Sequence, residues 1–426
     1  MKKLFSALFS LVMTVGFSQS PSVYQHCGYD WIIDKHEKDQ PGYKEYLEKS
    51  FQHLKNRAKW NKTDFTYIIP TVVHVVYQNS SQNLSDERIN RVLHQLNRDF
   101  ARSNSDTINV RQVFQDRAAN PAIHFELKGI VRVPTDTTFE LNFLTGELPD
   151  HVKSSADGGS DAWDVQRYLN IWICNIEDRI LLGYAYPPSC APNWPEGFAL
   201  PESRFDGVVV HYEAFDTTGS ISVQGTTVNF RGRVLTHEVG HYLGLRHIWG
   251  DGATAILGIP DCNADDGLED TPNQGLSSNF SCNFNLNTCS NEDQDLPDMI
   301  ENYMDYSSES CQNMFTMQQV GVMRAALREC RNQLLTNAEE LNSSVGTELQ
   351  LYPNPASNWL NISLQIETSS KAQVLLRNSQ GQVTLDKSVR LDMGTAQLNI
   401  SDLSPGLYFV EVSAEQRRSI TRIFIR

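Results

Sequence analysis

The first strong pattern along the chain is the run Ile68-Ile69-Pro70-Thr71-Val72-Val73-His74-Val75-Val76-Tyr77. It is rich in β-branched residues and lacks polar alternation, which predicts a buried strand. Ser85 follows as a helix cap, with Asp86 and Glu87 in the first turn, where the helix dipole favours acids. Ile89, Val92, Leu93, Leu96 and Phe100 then recur at helical spacing, a single apolar stripe facing a core. Further strands are expected at Ile123–Val133, Leu169–Cys174 and Gly207–Tyr212, with helices over Arg231–Leu243 and Gln318–Leu335. This strand–helix–strands–helix order is an α/β pattern. Near residue 342 the character shifts, and Asn342-Ser343-Ser344-Val345-Gly346 reads as a linker. Beyond it, the short alternating runs Leu360–Leu364, Ala372–Leu376, Leu407–Val412 and Ile420–Ile425 are punctuated by Asn-Pro, Gly-Gln and Pro-Gly. Such spacing predicts a small antiparallel β-sandwich.

The start of the chain follows other rules. Lys2 and Lys3 precede the apolar run Leu4–Phe17, and Ser18-Gln19-Ser20 offers small residues for cleavage, so residues 1–20 read as an export signal. That run is too short to span a membrane, and no later stretch approaches the roughly 20 apolar residues a span needs. Residues 21–64 are charged and polar with scattered aromatics and basic sites such as Lys55 and Arg57, the character of a removable pro-segment.

Composition narrows the classes. A chain of 426 residues has room for two or three domains. Its 36 basic and 51 acidic residues give a net charge of −15, which argues against a nucleic-acid partner and suits a soluble extracellular protein with calcium sites. Export permits disulfides among the eight cysteines, Cys27, Cys174, Cys190, Cys262, Cys282, Cys289, Cys311 and Cys330. Four of them lie between 262 and 311 in a stretch poor in apolar residues, and sequence alone leaves their pairing open.

The chemistry concentrates in His237-Glu-Val-Gly-His241-Tyr-Leu-Gly-Leu-Arg-His247. His237 and His241 stand four apart, one turn of a helix, so both imidazoles can reach a single ion. Gly244 tolerates positive φ, lets the chain leave the helix and swings His247 back as a third nitrogen. Three neutral imidazoles with one open position are the arrangement of a catalytic zinc. Glu238 can address a water on that ion as general base and then acid. A secreted adhesin or binding module with structural zinc would need no such base and would usually close the site with a fourth protein ligand. A zinc amidase acting on a non-protein substrate is a third reading, which a cleft for extended peptide would exclude.

HEVGHYLGLRH, the strand IIPTVVHVVY, the turn NYMDYSS and the loop CNADDGLEDTP together resemble the pappalysin family of metzincin peptidases, of the ulilysin and mirolysin type, over residues 65 to 335. The resemblance implies a two-lobed α/β catalytic domain around a zinc cleft, with protein and peptide substrates. It further implies that Met304 forms a floor beneath the histidines and that Tyr306 donates to the oxyanion. Asp266, Asp270 and Thr271 would line a structural calcium site. Cys262 would pair with Cys289 and Cys282 with Cys311, leaving Cys174, Cys190 and Cys330 unassigned. Cys27-Gly28 would be the latency device of a zymogen, its thiolate occupying the open zinc position. Relatives that prefer Arg carry an acid just before the cysteine after the methionine turn; here Ser310 precedes Cys311 and the nearest carboxylate is Glu309, so the resemblance leaves a basic preference open. Leu351-Tyr352-Pro353-Asn354-Pro355, opening a β-domain that ends GLYFVEV and TRIFIR, resembles the C-terminal sorting domain of type IX secretion, which implies that machinery as a partner. The resulting scheme is a signal at 1–20, a pro-segment at 21–64, a metallopeptidase domain at 65–340, a linker at 341–350 and a sorting β-sandwich at 351–426.

Overall fold

In the computed structural model the chain divides at Leu334/Leu335 into two compact units. Residues 27–58, 65–336 and 349–426 are described, apart from 143, 178–180, 193–199, 224–225, 252–258, 291–294, 365–369, 379–381, 393–394 and 415–416. The expected signal at 1–20 and the linker centred on Asn342–Gly346 lie outside the described residues.

In the first unit the β-branched run forms β1 (Tyr67–Tyr77), buried almost throughout because it has a parallel neighbour on each side. These neighbours are β2 (Ile123–Pro134) and the fully buried β3 (Leu169–Cys174). The sheet continues through β4 (Gly183–Ala185), an edge strand, paired antiparallel to β5 (Val208–His211), which lies parallel to β3. Its order is β2-β1-β3-β5-β4. Ser85 Oγ accepts from Arg88 N at 3.3 Å to start α3 (Asp86–Phe100), and the stripe Ile89, Val92, Leu93, Leu96, Phe100 is buried. A hairpin, β6 (Ser220–Val223) and β7 (Thr226–Asn229), precedes the motif helix α4 (Arg233–Tyr242). The last helix, α5 (Met317–Glu329), opens on a capping box between Thr316 and Gln319.

Residues 29–57 are more regular than their polar composition suggests. They form α1 (Tyr29–Asp39) and α2 (Tyr43–Arg57), and Tyr43, Tyr46, Leu47, Ser50, Phe51 and Leu54 make one buried face of the second. The sulfur atoms pair as Cys190–Cys330, Cys262–Cys289 and Cys282–Cys311, while Cys27 and Cys174 are free and buried.

The second unit is all β. A three-stranded antiparallel sheet is made by β8 (Leu349–Tyr352), β9 (Trp359–Leu364) and β12 (Thr395–Asn399). A four-stranded one is made by β10 (Ser370–Asn378), β11 (Val383–Leu391), β13 (Gly406–Ala414) and β14 (Arg417–Ile425). Alternate residues such as Leu360, Ile362, Val374, Leu376, Val410 and Val412 enclose its core.

Candidate active site

The site is built on α4 and the turn that ends it. Gly244, at φ 91°, takes the chain out of the helix, with Gly244 N donating to His241 O at 2.9 Å. His247 thereby returns beside the helix, and the three Nε2 atoms converge: His241 to His237 at 3.0 Å and to His247 at 3.1 Å. Two of the rings have their tautomer set by the fold. His237 Nδ1 donates to Tyr303 O at 2.7 Å and His241 Nδ1 donates to Leu245 O at 2.9 Å. Their Nε2 lone pairs therefore face one another, an arrangement that repels unless a cation lies between. Tetrahedral zinc at its usual bond length of about 2.0–2.1 Å needs nitrogen–nitrogen edges close to those observed. The donor set fits the ion.

The remaining side chains complete a buried pocket. Met304 lies under α4, where a Cβ on Gly240 would collide with its sulfur. Asn302 Oδ1 holds that turn by accepting from Met304 N at 2.9 Å. The Tyr306 hydroxyl stands 3.0 Å from His247 Nε2. Trp249 stacks on the His247 ring at 4.5 Å, and His247 Nδ1 lies 3.3 Å from Asp251 Oδ1. Burial opposes charge on His247, but the Asp251 and Asp30 carboxylates outweigh it and raise the group to about 9, whereas burial and the charge of His247 take His237 down to about 3. Burial pushes the Glu238 carboxyl up to about 8.

The leading segment enters this site directly. Gly28 N donates to Gly183 O at 2.9 Å, which lays the chain along the edge strand β4, and a Cβ at Gly28 would meet Tyr184 Cβ at 2.8 Å. Cys27 Sγ then joins the three histidine nitrogens in a group whose atoms all lie within 4.8 Å of one another. It donates to Glu238 Oε2 at 3.3 Å. Tyr29 stacks on His241 at 4.1 Å, and Asp30 Oδ2 lies 3.5 Å from His247 Nδ1. Further along, α2 packs Phe51 under Arg246, at 4.0 Å, and Lys55 Nζ donates to Gly267 O at 2.6 Å. Sequence reading missed Tyr29, Asp30 and Asp251; the first two follow the singled-out Cys27-Gly28 directly, and Asp251 is four residues after His247.

The acidic loop is brought together only in part. Thr271 Oγ1 donates to Asp266 Oδ1 at 2.7 Å, and Asp266 Oδ2 is buried without a protein donor. Burial raises that carboxyl to about 8. Asp270 instead accepts from Thr316 Oγ1 and Gln318 N, both at 2.8 Å, at the start of α5. Beside His237 and Glu238 opens a pocket lined by the apolar Leu182, Val228 and Phe280, the acids Asp305 and Glu309, and Arg233. Ser310 Oγ faces Ser308 and Cys282, not this pocket. Glu309 Oε2 accepts from the amides of Arg231 and Arg233, while Glu309 Oε1 and Asp305 Oδ2 are buried without donors.

Residues 153–328 match the peptidase family described as pregnancy-associated plasma protein-A, the pappalysins. An extracellular metalloprotease of Pyricularia oryzae is 30% identical over 269 residues, 62% of this chain and 76% of that protein. The chain belongs to the pappalysin family. A promirolysin variant from Tannerella forsythia is 35% identical to this pappalysin with a TM-score of 0.61, over 74% of this chain and 99% of that one. Mature Tannerella forsythia mirolysin with a cleaved peptide is 39% identical with a TM-score of 0.54, over 66% of this chain and 99% of that one. Residues 350–426 match the secretion system C-terminal sorting domain. This pappalysin is therefore a zinc metallopeptidase, secreted or at the cell surface, with an α/β metzincin fold followed by a β-sheet sorting domain. Among the described residues, no helix is long and apolar enough to cross a membrane.

Proposed function

We propose that this pappalysin is a secreted endopeptidase, made as a zymogen, that cleaves extracellular proteins with His237, His241 and His247 as zinc ligands and Glu238 as general base. The observation that carries the reading is the convergence of the three Nε2 atoms beside the Glu238 carboxylate. Zinc held there would supply a Lewis acid and an acidified water. Glu238 takes a proton from the attacking water and delivers it to the leaving amine nitrogen. The Tyr306 hydroxyl donates to the developing oxyanion, and Met304 supports the histidines from below. Cys27 acts as the latency switch, since its sulfur shares the histidines' focus and its hydrogen bond occupies Glu238. Removing residues 21–64, after loss of a signal at 1–20, frees both.

Three finer points belong to the same proposal. Asp266, Asp270 and Thr271 line a structural calcium site, for which the donor-free Asp266 oxygen is a suitable hard ligand; Asp270 also accepts from Thr316 and Gln318 at the start of α5. The pocket next to Glu238 receives the side chain on the leaving side of the cut. Its apolar walls and donor-free carboxylate oxygens favour a long basic side chain, with Glu309 taking the part of the acid missing at Ser310. The β-sandwich, 351–426, engages the type IX secretion machinery, and 65–340 is the catalytic domain.

Hydrolysis of a mixed peptide library by the activated protein, beside Glu238→Ala, tests the reading. Cleavage by the parent alone supports it. Equal inactivity of both, with zinc bound and the leader gone, would favour the binding-module or amidase reading.

A further inference from the structure

His237 is tied to the rest of the fold from two sides, and both ties lead to one carboxylate on another helix. Its ring is held by the carbonyl of Tyr303, which accepts from Nδ1 at 2.7 Å. The Tyr303 side chain runs the other way, and its hydroxyl donates to Asp99 Oδ1 at 3.0 Å. The residue before His237, Thr236, donates from Oγ1 to the other oxygen, Asp99 Oδ2, at 2.9 Å. Asp99 is the penultimate residue of α3 and is 1% exposed. Gln95 Nε2 also donates to Oδ1, at 2.8 Å, and the Arg233 guanidinium from the first turn of α4 lies 3.7 Å away.

We propose that Asp99 is a positioning residue for the zinc site, fixing His237 through Thr236 on one oxygen and through Tyr303 on the other. The inference rests on the zinc reading of the three histidines. It assigns a metal-site role to a residue more than a hundred positions upstream of the motif. A carboxylate suits the task because each oxygen can accept from a different element while the pair shares one charge opposite Arg233. Outer partners of this kind set the direction of a histidine lone pair, and their loss typically weakens metal binding about 10–100-fold. Asp99 itself touches neither ligand atoms nor substrate, so its effect passes entirely through the placement of His237.

The test compares Asp99→Asn, Tyr303→Phe and Thr236→Val with the parent full-length chain. Zinc affinity is read by competition with a chelating dye, and melting temperature with and without zinc. The expected result is a loss of zinc affinity of about tenfold or more in Asp99→Asn and a smaller loss in the other two. The zinc-dependent part of the melting temperature should shrink in parallel. A purely structural role would lower the melting temperature equally with and without zinc and leave the affinity unchanged, and that outcome overturns the proposal. If Asp99→Asn does not fold, unchanged affinity in both Tyr303→Phe and Thr236→Val overturns it. A parent chain that itself binds no zinc would instead sink the zinc reading.

Discussion

The candidate metal centre draws on two regions that hold their donors in different ways. His237, His241 and His247 come from one helix and the turn after it, and the first two rings are locked by backbone carbonyls of Tyr303 and Leu245. Cys27 comes from a segment 211 positions before Glu238 and is held by an edge-strand contact at Gly183 and a thiol hydrogen bond. In the proposed zymogen the difference separates a permanent donor from a removable one. The permanent donors are held by the core, so removing the leader would leave the three histidines in place. The removable donor is positioned by surfaces that it also covers, namely the Tyr29–His241 stack and the Asp30–His247 contact.

That contrast can be broken or sharpened by experiment, beginning with the largest effect. Replacing a permanent donor, His241→Ala, should abolish zinc retention and take peptide hydrolysis to background; metal analysis of the purified protein checks it. Replacing the removable donor should do the opposite. Uncleaved Cys27→Ala should hydrolyse peptide at least about tenfold faster than the uncleaved parent, since an open coordination position is what a catalytic site needs. Equal latency in the two chains would mean that α1 and α2 block the cleft without help from the thiol.

A third effect concerns the acids that line the pocket. Burial raises the Glu309 carboxyl to about 7 and Asp305 to about 6, so both are mostly neutral at pH 5.5 and charged at pH 8. Selectivity for Arg over Leu after the cut should therefore rise severalfold across that interval, and Glu309→Gln should flatten the rise. The same shift acts on stability with the reverse of the usual sign. A folded-state value above the unfolded carboxyl's makes this group's contribution largest at low pH, and it is lost between about pH 4 and 7. The smallest effect is expected from Tyr29→Ala. Removal of one stacked aromatic pair costs about 0.5–1.5 kcal/mol of docking, read as faster trimming of the uncleaved leader by trypsin.

How much was legible follows from where each feature finds its partners. The strand β1, the cap at Ser85 and the spacing of His237, His241 and Gly244 are local patterns, and each forms where the sequence places it. The strand expected at Leu169–Cys174 forms over those same residues. The helices of the leader were harder to see. Tyr43, Leu47, Phe51 and Leu54 are separated by charged residues whose number masks the 3.6-residue period, and their burial comes from the domain they cover. Asp270 could not be placed either, because an acid in an acidic loop carries no sign that its oxygens will cap a helix 46 residues further on. Glu309 illustrates the same limit: its place two residues before Cys311 does not tell which side chain turns into the pocket. The Cys190–Cys330 pairing, and with it the free state of Cys174, is equally beyond spacing arguments, since Cys190 and Cys330 stand 140 residues apart.

Cys174 sits in the core beside Trp172 and Tyr184 with no sulfur partner. Under the proposed maturation, the chain's thiol count would therefore record its processing history. Unfolded without reductant, the intact protein should release two titratable thiols, Cys27 and Cys174, and the processed protein only one. A simple colorimetric assay on a mixed preparation would then report what fraction of the molecules has shed the leader, with no need for substrate or active enzyme.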